Sequence, residues 1–383
     1  HSIGLLYSAV TAFLGFKVNN GEGKIMGLAS YGKATFKKEF EKLISIFPDG
    51  SFKLHQKYFA YQNGTRMFSR SFVKLFGKPR KAESEITERD ENIAATLQWV
   101  LEETALKLAA YAKELTGADK LCMAGGVVLN SVMNGAILKS DIFKDHFFLP
   151  IGGDGGAALG GPLYLWRNVL GNNENSPLKH LFWGPGFSQD HIKKLLISKG
   201  IKFSIPDDPE RTAAELRSQK KIIAWFDGRM ELGARALGHR SILADPRDPE
   251  MKDILNERVK HREAFRPFAP MILQEEFSSY FGHEGVASPY MILCLPVNEG
   301  RKTFPAAIHV DGSARVQTVN KEDNSKIYSI ISHFKDLTDI PVILNTSFNV
   351  RGEPIVLSPE DALKTFLSTG IDHLFMEGIL VDK

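Results

Sequence analysis

Apolar residues recur at helical spacing in the first stretch, SIGLLYSAVTAFLGF, with Leu5, Val10, Phe13 and Leu14 on one side. The next stretch, NNGEGKIMGLASYGK (19–33), is glycine-rich and reads as a loop with a short strand or turn. Residues 50–85 mix aromatic and charged residues without a period and read as an insertion. The clearest pattern follows, a long helix with Ile93, Leu97, Val100, Leu101, Leu108, Ala112 and Leu115 on one face. Thr87 with Asp90 resembles a capping box at its start, and Gly117 can end it.

Two units of strand, glycine pair and helix come next. KLCM leads into Gly125-Gly126 and then NSVMNGAILKS; HFFLP leads into a glycine-rich loop carrying Asp154 and a small-residue helix. This repetition predicts a three-layer α/β domain. The polar stretch 171–180 is the predicted linker, placing the domains at 1–172 and 173–383. Beyond it the pattern predicts a helix in DHIKKLLISKG, a buried strand in KIIAWF (221–226), a loop over 227–247 and a helix in PEMKDILNERV. Strands are predicted in YMILCLPV, ARVQTV and PVILN, and a helix in SKIYSIISHFKDL. A last helix, SPEDALKTFLSTG, has Ser358 as cap, Pro359 in its first turn and Gly370 as stop. The second region is therefore also α/β or α+β.

Length and charge narrow the classes. At 383 residues the chain is long enough for two or three domains, and a formal charge of +3 is too weak for a nucleic-acid coat or a membrane-surface protein. No apolar run of membrane-spanning length occurs. Cys122 and Cys294 fit no disulfide framework or zinc motif; both lie in apolar runs and read as buried thiols, which suits a reducing cytoplasm. The sequons at 63–65 and 345–347 carry little weight without a secretory signal.

Local clusters carry more information than the total. Gly125-Gly126 before a helix lets backbone N–H groups approach an anion, and Asn130 and Asn134 lie one turn apart beside it; a plain tight turn is the commoner meaning of such a pair. Asp154 among glycines can approach a cation or cap the next helix. In DGRMELGARALGHRSILADPRDP (227–247), Arg229, Arg235 and Arg240 sit among glycines, as guanidinium forks for an anion or as partners of Glu231 and Asp245. KHREAFRPFAP (260–270) holds Lys260 and Arg266 at a spacing stiffened by Pro267 and Pro270, with Phe265 and Phe268 as anchors. Arg315 follows an Asp-Gly turn, and LNTSFNVRGEP ends a strand in Asn345, Thr346, Ser347, Asn349 and Arg351, where α/β sheets place ligands.

These stretches, with EGKIMGLASYG, MAGGVVLN, GGDGGAALG, RALGHRSILADPRDPEMKD and HVDGSARVQTV, strongly resemble the O-carbamoyltransferases of nodulation-factor and antibiotic tailoring, the NodU/CmcH type. The resemblance covers nearly the whole chain. It implies a partial actin-like (Kae1-like) ATP-binding domain followed by a YrdC-like twisted open α/β domain. It implies ATP and carbamoyl phosphate as substrates, a carbamoyl-adenylate intermediate, and a hydroxyl of a sugar or other small molecule as acceptor. Carried over by position, Arg235, Lys260, Arg266, Arg315, Asn345 and Ser347 would surround carbamoyl phosphate and the ATP phosphates, with Arg351 beside the nucleotide. Gly125, Gly126 and Asn130 match a nucleotide-binding loop, and Asp154 matches a ligand of a divalent metal, iron or magnesium. The histidines and further aspartate of that metal site belong to an N-terminal half that this chain lacks, so the site is expected to be incomplete. Ala234, where proline is usual, and His239, where the family varies, are small departures. The expected protein is cytoplasmic, binds no nucleic acid or membrane, and has a homodimer as its candidate assembly. The alternatives are a threonylcarbamoyl-adenylate, tRNA-modification type enzyme, and a non-catalytic phosphate- or RNA-binding module.

Overall fold

The structure, a computed structural model, describes residues 1–62, 64, 66–174, 177–298 and 303–383. Residues 63 and 65 of the first sequon and residues 175 and 176 of the predicted linker lie outside the described residues. The chain forms two compact units, 1–158 and 159–383.

In the first unit, helix α1 (Ile3–Phe13) is capped by Ser2, whose Oγ accepts from Leu5 N at 3.2 Å. Its buried side is Leu6, Val10 and Phe13; Leu5, expected on that side, is exposed. The stretch 19–33 is not a loop. Glu22–Ala29 form helix α2, because Ile25, Met26 and Leu28 bury against the long helix that follows. The region 50–85 had no period because its aromatics build a cluster rather than a face. After α3 (Lys37–Leu43) and the hairpin β1 (Ile44–Ile46) and β2 (Phe52–Leu54), helix α4 (Arg70–Phe76) brings Phe72 and Phe76 to within 4.7 Å between ring centres, and Phe13 packs on both.

Helix α5 (Glu88–Thr116) has the expected Thr87/Asp90 capping box, and Gly117 ends it at φ 63°. Ile93, Leu97, Val100 and Leu101 are buried, whereas Leu108 and Leu115 on the same stripe are exposed. Strands β3 (Lys120–Met123) and β4 (Asp145–Phe148) pair in parallel and are followed by α6 (Ser131–Lys139) and α7 (Asp154–Tyr164) respectively. Among the described residues their sheet has two strands, not the layered sheet expected. Cys122 on β3 is exposed for that reason, against the buried thiol expected.

The second unit is built on one eight-stranded mixed sheet. Helices α8 (Gln189–Ser198) and α9 (Pro209–Ser218) precede strands β5 (Ile223–Phe226) and β6 (Arg240–Ala244). Then come α10 (Met251–Leu255), β7 (Ala269–Leu273), α11 (Phe277–Phe281), β8 (Leu293–Pro296) and β9 (Ser313–Val319). Helix α12 (Ser325–Thr338), β10 (Val342–Ser347), α13 (Pro359–Leu367), β11 (His373–Met376) and β12 (Ile379–Asp382) complete it. The strand order is β12-β11-β5-β6-β10-β7-β9-β8. Helix α9 had a readable signature, an Asp208 cap with Pro209 in the first helical position.

The register decides where chemistry can sit. Ile223, Trp225, Leu243, Met271, Leu273, Val319, Ile343 and Phe375 share one sheet face and bury against Ile327, Ile330, Ile331 and Phe334 of α12 and Ala213 and Ala214 of α9. Each such side chain, fully buried, contributes roughly 1.5–3 kcal/mol. The same face continues as Ser241, Asn345, Ser347, Gln317, Arg315 and Cys294, so its hydrophobic part becomes core and its polar part becomes the candidate site.

Candidate functional site

The reading of 227–247 as one loop is corrected by β6, which takes Arg240 into the sheet. Arg240 is fully buried over the Phe226 ring at 3.6 Å and donates to the carbonyls of Asp227, His239, Pro185 and Gly228. Arg229 donates to the carbonyls of Gly184 and Trp183 at 2.9 and 2.6 Å. Both are structural, satisfying carbonyls of the 183–185 segment.

Arg235 is different. It is half-buried on a turn held from below. Glu231 Oε1 accepts from the backbone N–H groups of Leu237, His239 and Arg240 at 2.7, 2.7 and 3.1 Å. Asn345 Nδ2 donates to Ala236 O at 2.9 Å, and Gln317 Nε2 to Leu237 O at 3.0 Å. Gly238 lies at φ 113°, and a Cβ there would meet Ile327 at 2.7 Å, so the turn needs glycine to lie on α12. Such anchoring preorganises the guanidinium before any ligand arrives.

The segment 256–266 supplies the next charges. Asn256–Lys260 form a π-helical turn after α10, and His261 reverses the chain at φ 45°. This turns Lys260 inward, where it is 2% exposed. Its Nζ donates to the carbonyls of Ser347 and Asn349 and to Asn349 Oδ1, the latter two at 2.9 and 3.0 Å. In this structure Lys260 therefore fixes the end of β10. Arg262 is held by Asn256 Oδ1 at 3.0 Å and lies over Phe268 at 4.6 Å. Arg266 stands 3.8 Å from Glu263, which also lies 4.0 Å from Arg351 at the exposed rim.

Arg315 on β9 completes the cluster. Its Nε is buried with no hydrogen-bond partner among the described residues. Burial, then the guanidiniums of Arg235, Arg262 and Arg266, push its pKa well below the usual value. Burial and Arg266 push Arg235 down to about 10 and Arg262 down to about 9. Burial and the charges of Arg262 and Arg266 push Lys260 down as well. Arginine keeps its proton. The strain is therefore electrostatic, and a polyanion entering the cluster relieves it.

The structure thus gathers Arg235, Arg266, Arg315, Asn345 and Ser347 at one end of the sheet, with Lys260 behind them and Arg351 at the edge. It adds Arg262, Glu263 and Gln317, to which the sequence assigned no role, and it includes Asn349 and Glu231, both named in the sequence as polar neighbours of the arginines. Only Gln317 had a readable signal, two residues from Arg315 and so on the same strand face. Asn345 is 1% exposed in β10, which closes the second sequon to modification in the folded chain.

In the first unit the two glycine loops meet: a Cβ at Gly152 would lie 2.7 Å from Gly125 O, so Gly125-Gly126 and Asp154 sit at the same ends of β3 and β4. Gly125, Gly126 and Asp154 are exposed. Asn130 caps α6 by accepting from Met133 N at 2.9 Å and exchanges hydrogen bonds with Gln98. No group of three or more His, Cys, Asp or Glu side chains able to hold a metal occurs among the described residues. Asp154 alone does not fit a metal cage, and the chemistry below passes through no metal.

The family models for the carbamoyltransferase N-terminus and C-terminus match residues 1–163 and 213–383. The chain belongs to the carbamoyltransferase family. It is 40% identical to the Synechocystis sp. protein sll1178 over all of this chain and 67% of that one. It is 36% identical to the nodulation protein NolO of Bradyrhizobium diazoefficiens, covering all of this chain and 69% of NolO. The same identity holds with NolNO of Sinorhizobium fredii, of which the chain covers 56%. The chain thus spans between about half and two thirds of these relatives. A crystal structure of full-length HypF with phosphate and nucleotide matches 48% of this chain and 22% of that one at 18% identity, with a TM-score of 0.30, too low to carry an argument. No helix among the described residues is long and apolar enough to cross a membrane.

Proposed function

We propose that this chain is the carbamoyl-activating part of an ATP-dependent O-carbamoyltransferase whose acceptor is a hydroxyl of a sugar or natural product. The observation that carries the reading is the gathering of Arg235, Arg262, Arg266 and Arg315 at the polar end of the sheet, with Arg315 Nε buried and without a hydrogen-bond partner among the described residues, and with the pKa of these guanidiniums lowered by burial and crowding. Carbamoyl phosphate and the triphosphate of ATP are both highly negative. Bringing them together requires positive charge fixed in advance. Arg235, Arg266 and Arg315 supply bidentate donors for phosphate oxygens. Lys260 holds Ser347 and Asn349 in place, and Arg351 meets the nucleotide at the rim.

In bond terms, carbamoyl phosphate gives up its phosphate to water, a carbamate oxygen attacks the α-phosphorus of ATP, and pyrophosphate leaves. The acceptor hydroxyl then attacks the carbamoyl carbon and AMP leaves. In this proposal the first step belongs to a YrdC-like part, residues 173–383. The transfer belongs to a Kae1-like part, residues 1–172, with Gly125, Gly126 and Asn130 near the nucleotide.

The test is pyrophosphate release from ATP with and without carbamoyl phosphate, before any acceptor is added. Carbamoyl-phosphate-dependent release is expected. Equal release in both conditions would remove the reading.

A further inference from the structure

Of the two acids described in the cluster, Glu231 accepts from the backbone N–H groups beneath Arg235, whereas Glu263 stands beside the guanidiniums of Arg266 and Arg351, and an anion site gains nothing from a carboxylate there unless the carboxylate does something. Lys260, Arg235, Arg262, Arg266, Arg315 and Arg351 can only donate hydrogen bonds. Glu263 can only accept when ionised. Its side chain is 18% exposed, lies 3.8 Å from Arg266 and 4.0 Å from Arg351, and acts electrostatically on Arg262 as well. It comes from the same stretch as Arg262 and Arg266, so the segment that presents those guanidiniums to a ligand also carries Glu263.

Carbamoyl phosphate differs from other small acyl phosphates in one respect. Its acyl group carries an amino group with two N–H donors, where acetyl phosphate carries a methyl group of similar size. The phosphate end suits the guanidiniums; the amino end does not, because donors face donors there. We infer that Glu263 reads the carbamoyl amino group, accepting an N–H while the arginines hold the phosphate, and so sets the choice of carbamoyl phosphate over other acyl phosphates. The inference rests on reading the cluster as a carbamoyl phosphate site. It assigns Glu263 to specificity. A pure counter-charge for the arginines would favour neither ligand.

A hydrogen bond to an ionised group discriminates by roughly ten- to a hundredfold, and a site built around it rejects the analogue lacking the donor. The experiment is calorimetric titration of the full chain with carbamoyl phosphate and with acetyl phosphate, without nucleotide, so that the adenine amino group does not enter. The unsubstituted protein should prefer carbamoyl phosphate by roughly tenfold or more. Glu263→Ala should bind both alike, with acetyl phosphate as tight as before or tighter. Glu263→Gln keeps an acceptor oxygen without the charge and should retain part of the preference. An undiminished preference in Glu263→Ala overturns the assignment. So does parallel loss of both ligands in the alanine and glutamine variants, which would make Glu263 a counter-charge only. If the unsubstituted protein binds neither compound more tightly than Arg266→Ala does, the reading of the cluster itself fails, and this inference with it.

Discussion

The carboxyl ends of β3 and β4 and the polar end of the eight-stranded sheet both looked like ligand sites in the sequence, yet they differ in how far they are built. Gly125, Gly126 and Asp154 are exposed on a two-stranded sheet, with no further metal ligands gathered around them among the described residues. Arg235 instead rides a turn held by Glu231, Gln317 and Asn345, Arg262 is held by Asn256 and Phe268, and Arg315 stands on a strand of a sheet whose remaining face is core. A site becomes specific when its charges cannot relax away from each other, and that needs a wide, packed sheet beneath them. The first site has residue types without such support; the second has both.

The comparison can be broken at its strongest point. Arg266→Ala should reduce carbamoyl-phosphate-dependent pyrophosphate release by two to three orders of magnitude, about 3–4 kcal/mol of lost anion stabilisation, with an unchanged circular dichroism spectrum. Turnover within twofold of the unsubstituted chain would deny the second site its role.

Next in size is the support beneath Arg235. Glu231→Ala leaves three backbone N–H groups, two of them buried and one half-buried, without their carboxylate acceptor. It should lower unfolding stability by about 3 kcal/mol, read as a shift of the urea midpoint. No shift would mean that water replaces the carboxylate and that the turn is not preorganised by it.

A smaller effect concerns pH. Burial pushes the His309 imidazole, beside Ser313 Oγ at 3.1 Å, down to about 4 from an ordinary 6.5. The unfolded chain takes up a proton between those values that the folded chain refuses, so stability is lost as pH falls from about 6.5 towards 4. His309→Gln should flatten that part of the stability curve; an unaltered slope would place the titration in another group.

The smallest expected effect is at the first site. Asp154→Asn should leave pyrophosphate release unchanged, because adenylate formation is assigned to the other unit. A loss as large as that of Arg266→Ala would join the two sites in one reaction and end the contrast between them.

Much of the secondary structure was legible because it is encoded locally. The Thr87/Asp90 capping box with Gly117, the Ser358/Pro359 helix start and the apolar strands at 223–226 and 342–347 each depend on neighbours a few residues away. Helix α2 was hidden because its apolar residues are few and its glycines suggested a turn; burial against α5 overrides that weak preference. Arginines are a harder case. Arg229, Arg235 and Arg240 lie in one glycine-rich stretch with nothing local to separate them. Pairing of β5 with β6 places Arg240 over Phe226, and the carbonyls of residues 183–185 take up Arg229 and Arg240, while Arg235 is carried on a turn towards Arg315. The sequence by itself determined where cations are dense and which segments become strands. Only the tertiary structure decided which cations are neutralised by carbonyls and which are left crowded together, because a side chain's electrostatic environment is set by residues distant in sequence that the sheet register brings beside it.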